Sequence, residues 1–368
     1  MRRLLMGSQS NLSKRNARIR SLMGLKVIAI LILFWWHSDI PNPVIDLGAR
    51  TCEFFFVVSG FLVAYNYSSP SVSLPRTWSE SCIYVKSKLC GMWPLHFVTF
   101  LICLFLMPSS EIISLKTFLK AVMNLFLLQS WSLDSQTFFA FNGTSWFLSS
   151  ILFCYFISPF LLMTISSKKR AIISLCVAVF IRLLIEKQQI MFGTDLTSWN
   201  LHVSPVVRSL EFYIGISLFP LSSWIKSAFI KNTKYSRSIS SVLELLTLVI
   251  VIALVIIENG SWMRGDYVLL FGLLIVVYSW DYGIVSTFLS TFIFRKIGSI
   301  EFEFFILHQV IIRIINLDFV SLNLHWAYRS IIAFIILLIC CWIWKYYFKS
   351  PTTKRMEYIF RRLEQVYL

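Results

Sequence analysis

Lys26 and His37 bracket ten mostly apolar residues in the stretch KVIAILILFWWHSDIPNP. An ammonium group can hold a phosphate as a point charge, and an imidazole can take a proton from a hydroxyl. Eleven steps along an α-helix bring the two residues to within about 20° of one face, about 16 Å apart. They share a stripe but cannot touch. Two readings are open: unrelated residues at the edges of one apolar helix, or groups that address the two ends of a single long ligand.

Acids follow closely. Asp39 and Asp46 lie just beyond His37, and Glu53 opens the next apolar run, TCEFFFVVSGFLVAYNY. A carboxylate beside an imidazole fixes its tautomer and raises its basicity, so Glu53 and Asp46 are candidates to orient His37. The alternative is an interfacial His beside Trp35 and Trp36, with Lys26 reaching towards the headgroups. Further along, Arg208 and Glu211 are three residues apart and Arg182 and Glu186 four apart, so each pair can neutralise itself within its helix or bind a ligand. His308 lies inside an apolar run and is either a pocket residue or a bridge between helices. His96 reads as structural, and His202 and His325 as solvated loop residues. Trp146 either packs or stacks against a sugar. No His, Cys or carboxylate spacing suits a metal, and the eight Cys read as small residues of apolar runs. No glycine-rich phosphate loop or nucleophile elbow is present.

The elements that carry these residues are hydrophobic. Of 368 residues, 57% are hydrophobic and 14% charged, with 33 Phe and 13 Trp. That excludes an ordinary soluble domain. Long apolar runs predict an all-α, polytopic transmembrane helical bundle of about ten spans, at 21–38, 50–67, 91–107, 146–164, 171–187, 205–222, 241–257, 267–283, 299–316 and 329–348. The segment 118–131 is too short to be an obvious eleventh. If it is interfacial or re-entrant, most of the 34 Lys and Arg fall on one side, and both termini are cytoplasmic. The net charge of +16 then reflects orientation and attraction to anionic membrane lipid rather than nucleic-acid binding. The Ser59–Gly60 pair offers a small face for close approach of another helix. Residues 1–350 read as one membrane domain and 351–368 as a basic cytoplasmic tail. The first apolar run lacks a cleavage site and is expected to stay as a span.

Several of these stretches, taken in order, carry a resemblance. The acid, paired Phe and Ser-Gly of the second run, the Lys26-to-His37 spacing, TSWFLSSILFCYFISPFL, SPVVRSLEFYIGISL and KIGSIEFEFFILHQVI together resemble the acyltransferase-3 family of membrane O-acyltransferases. The resemblance runs from Lys26 to about Pro351. It implies a single-domain helical enzyme of the bacterial inner membrane. Such an enzyme moves an acyl group, usually acetyl, from acetyl-CoA on the cytoplasmic side to a hydroxyl of a cell-envelope glycan or lipid-linked oligosaccharide. By matching position His37 would be the catalytic histidine and Lys26 its basic partner, with Glu53 standing where the family usually has Asp. Lys88 would assist donor binding, because Gly91 replaces the family's usual Arg. Arg208, Glu211, His308, Trp146 and Asp46 become pocket or substrate-binding candidates. Ile151 stands where many members carry Glu, and Lys349 replaces an acid before Pro351. A lipid-linked-glycan transporter or flippase, using the intramembrane charges as a path, is the competing reading.

Overall fold

A computed structural model describes residues 18–38, 48–68, 75, 77–108, 114–192, 199–229, 235–257, 266–317 and 325–367. The described residues form helices and turns and no strand. With no water in a bilayer core to bond exposed backbone groups, a helix that satisfies its own N–H and C=O groups is the natural solution for such apolar runs.

The N-terminal half contains α1 (Arg20–His37), α2 (Gly48–Tyr67), α3 (Trp78–Phe105), α4 (Leu115–Leu125), α5 (Ser135–Phe138), α6 (Trp146–Thr164) and α7 (Lys168–Phe192). The C-terminal half contains α8 (Pro205–Phe229), α9 (Ser236–Ile257), α10 (Asp266–Tyr278), α11 (Ile284–Leu289), α12 (Phe292–Gly298), α13 (Glu301–Ile315), α14 (Trp326–Ile343) and α15 (Lys349–Tyr367). A π-helical turn, Trp344–Phe348, joins α14 to α15 without a break. The basic tail is therefore a helical extension of the last apolar helix, and it packs against α3, where the Lys86 ammonium lies 5.0 Å from the Phe360 ring centre.

Among the described residues five helical segments are long and apolar enough to cross a membrane: Arg20–His37, Trp78–Phe105, Gly143–Thr164, Ser236–Leu254 and Trp326–Arg362. A helix overlaps each of the other expected spans, although α10 has 13 residues and ends at Tyr278, short of the expected 267–283. Three of those, α2, α7 and α8, carry buried Arg and Glu that lower their hydropathy. The 118–131 segment holds most of the 11-residue α4 and the 3-10 turn Gln129–Trp131. At 1.5 Å per residue α4 rises about 16 Å, roughly half the hydrocarbon thickness. Its Leu115, Phe118, Leu119 and Val122 are exposed together, whereas Asn124 is buried. The C-terminal carbonyls of α4 are satisfied from α3: the Trp93 indole donates to Leu125 O at 3.0 Å, and His96 Nε2 lies 2.9 Å from Asn124 O. His96 thus holds the end of α4 against α3.

α2 is the central helix, touching α1, α6, α8 and α10. Its closest neighbour is α8, and the reason is two glycines. A Cβ at Gly60 would overlap the carbonyl of Phe212, and one at Gly215 would overlap the carbonyl of Val57. The backbones touch where a side chain would otherwise stand between them. Gly60→Val is expected to destabilise the protein by about 1–3 kcal/mol or more through overpacking, read as a lower melting temperature in detergent. An unchanged melting temperature would mean the two helices can part here at no cost.

Candidate active site

His37 occupies the last turn of α1 and His308 the middle of α13. His308 is fully buried, and His37 is half-buried. His308 Nε2 is 3.2 Å from His37 Nδ1, and the ring centres are 4.9 Å apart. Carbonyl neighbours assign the protons of this pair. His308 Nδ1 lies 2.7 Å from the Phe305 carbonyl, which can only accept, so the neutral ring carries its proton there and Nε2 is bare. His37 Nδ1 faces that bare nitrogen and, at 3.0 Å, the Leu33 carbonyl. Two acceptors require a donor, so His37 is protonated on Nδ1. Its Nε2 is left with a free lone pair, the form a general base or a nucleophile needs. Trp36 abuts the ring edge-on at 4.6 Å.

Glu53 does not orient this imidazole. It accepts from Arg50 at 2.7 Å and lies 3.6 Å from Arg182. Arg182 in turn bonds Glu186 at 3.1 Å and Glu211 at 3.1 Å, and Glu211 accepts from Arg208 at 2.5 Å. The result is one buried cluster of three guanidiniums and three carboxylates, neutral in sum, that ties α2, α7 and α8 together. Each in-helix pair seen in the sequence is present, but Arg182 merges them. Arg208 also donates to the Leu201 carbonyl and lies 5.7 Å from the centre of the Phe56 ring. Glu53 Oε2 and Arg208 Nε, both buried, have no hydrogen-bond partner among the described residues.

Trp146 is buried, stacked on Phe56 at 6.4 Å and tilted against His202 at 4.7 Å. Its ring faces are occupied by protein. His202, expected in solvent, instead sits half-buried in the π-turn Trp199–Val203 before α8. Burial first, then the neighbouring charges of Arg208, Arg50 and His37, push its pKa down to about 3, so the ring is neutral. His325 behaves as expected, exposed and accepting from Ala327 N at the start of α14.

Three turns before His37 on α1, Lys26 bonds Glu301 at 2.6 Å, each about one-fifth exposed. Lys26 and His37 therefore both face α13, one towards its first residue and the other towards its middle. Next to Glu301, buried Glu303 meets Lys349 at 2.6 Å. Lys88 lies between two phenol rings, 5.2 Å from the centre of Tyr84 and 5.0 Å from that of Tyr155. Asp46 lies outside the described residues. Among the described residues no group of three His, Cys, Asp or Glu is placed to hold a metal ion.

Sequence reasoning passed over Arg50, and it left Glu301 without a named partner. Arg50 was detectable, three residues before Glu53 on one helical face. Nothing local announced that Glu301 would meet Lys26, or that His202 would fold onto Trp146, since both pairings join distant parts of the chain.

The sequence profile of a family described as an acyltransferase domain, acyltransferase-3, matches residues 19–345. No curated protein and no solved structure matches the chain.

Proposed function

This chain belongs to the acyltransferase-3 family, and on that premise we propose that it transfers an acetyl group from acetyl-CoA to a hydroxyl of a cell-surface polysaccharide, such as O-antigen or capsule, or of its lipid-linked precursor. The observation that carries the reading is the His37–His308 pair with a bare Nε2 on His37. In the proposed reaction, His37 Nε2 takes the proton of the acceptor hydroxyl as that oxygen bonds to the thioester carbonyl carbon. The C–S bond then breaks, and the imidazolium returns the proton to the departing CoA thiolate. His308 Nε2 accepts from His37 Nδ1 throughout, holding the ring in one tautomer.

Lys26 supports the donor assignment. It stands about 16 Å from His37 on the same helical face, about two turns into the N-terminal half of α1. Its ammonium is partly exposed and held by one carboxylate, Glu301, a partner that a CoA phosphate can replace. Lys88 and Lys349 add positive charge nearer the same end. The same distribution of basic residues supports ten crossings with both termini in the cytoplasm, and family membership supports residence in the bacterial inner membrane.

The double variant Lys26→Met, Glu301→Gln removes the cation without leaving a lone carboxylate. Its KM for acetyl-CoA is expected to rise about tenfold, the size of one lost charge-assisted hydrogen bond, with kcat little changed. An unchanged KM removes Lys26 from the donor site.

Function itself is tested with membranes given acetyl-labelled acetyl-CoA. Label is expected in the glycan fraction, and mass spectra of glycan from cells lacking the gene are expected to lose the acetyl increment. Label that stays on CoA, with glycan of unchanged mass but altered membrane sidedness, would favour a flippase.

A further inference from the structure

A second polar site lies at the end of the bundle that carries the basic N-terminal segment, apart from the histidine pair. A partly open cavity of about 260 Å³ is enclosed by the residues preceding α1, the last turns of α2 and α8, and the turn after α10. Two cations line it, Arg18 and Lys226. Lys226 donates to the Trp280 carbonyl at 2.8 Å and keeps two N–H groups for another partner. Arg18 makes no hydrogen bond or ion pair among the described residues, whereas the one lining acid, Asp281, has an oxygen already taken by the Ser21 N–H at 3.1 Å and the Ser290 hydroxyl at 3.0 Å. The cavity is thus positive, with Ser223 at its edge and the Tyr65 and Phe219 rings on its wall. Exposed Trp224, with Lys168 5.1 Å from its ring centre, marks this level of α8 as headgroup depth.

We propose that this cavity binds the phosphate headgroup of an anionic phospholipid, with Arg18 and Lys226 on the phosphate and the aromatic wall beside the glycerol and first methylenes. The volume lies just below the roughly 300–1,000 Å³ of sites that enclose drug-sized ligands, so it takes a headgroup and not a whole CoA. A membrane leaflet with anionic lipid supplies that ligand at the right depth.

The test uses full-length protein in nanodiscs of phosphatidylcholine with minor phosphatidylglycerol, followed by native mass spectrometry. Wild type is expected to retain phosphatidylglycerol selectively. Retention is expected to fall about thirtyfold in Arg18→Gln, Lys226→Gln, the loss of two basic contacts to an anionic lipid. Ser223→Leu fills the cavity with both cations intact and is expected to produce the same loss. Lys116→Gln, an exposed cation elsewhere, is expected to leave retention unchanged. Equal retention in wild type and both cavity variants overturns the site. Displacement by excess inorganic phosphate shows that phosphate alone is read and overturns the lipid assignment. No acyl donor enters the measurement, so its failure is distinct from failure of the acetyl-transfer reading.

Discussion

His37→Ala is expected to lower acetyl transfer by about 10²–10⁴-fold while protein still accumulates in the membrane. The lone pair on Nε2 exists because two carbonyls and one imidazole dictate where protons sit on the pair, and no other ring in the site is placed to substitute. His202 is neutral but lies against Trp146, and His96 spends its Nε2 on the Asn124 carbonyl. His308 is a positioning residue, and its variants separate that role from folding. His308→Leu removes one of the two acceptors of the His37 Nδ1 proton. It should cost about tenfold in kcat, the scale of one hydrogen bond, and displace the pH profile of kcat. His308→Gln restores an acceptor and is expected to recover part of both. Full activity in His37→Ala would end the proposed mechanism outright, and an unmoved pH profile in His308→Leu would reduce that residue to packing.

The second large effect concerns folding. Arg182→Met leaves Glu53, Glu186 and Glu211 with two guanidiniums, all at buried positions. Breaking a buried ion network by removing one partner costs about 3–5 kcal/mol, because the remaining charge cannot be solvated. Against a total stability of about 5–15 kcal/mol, most of the protein should be lost from the folded, monodisperse fraction in size-exclusion chromatography. Adding Glu186→Gln restores neutrality and is expected to recover folded protein. A wild-type melting temperature for Arg182→Met alone would show that the cluster is hydrated and weak.

The sequence made the helices legible because apolar runs leave the backbone few alternatives. It also marked Ser59–Gly60 as a place of close approach, since a missing side chain is a local fact. In-helix pairs such as Arg208 with Glu211 were legible for the same reason. Partners across helices were not. Helical periodicity states which face a residue occupies and is silent on which helix meets that face. Hence Glu53, a plausible companion for His37 by proximity along the chain, turns to Arg50 and Arg182, and the imidazole finds its neighbour 271 residues away. The stripe shared by Lys26 and His37 was visible; that α13 receives both ends of it was not.

The glycine-to-glycine seam between α2 and α8 limits how the molecule can open. Where main chains lie against each other there is no lubricating layer of rotamers, so those two helices travel together and the Arg–Glu cluster bolts α7 to them. By contrast, α1, α13 and α14 meet through side chains, the rings of Phe34, Phe304 and Phe334. Under the proposed function, an acceptor that enters beside the imidazoles would meet the α2–α7–α8 block as a fixed wall.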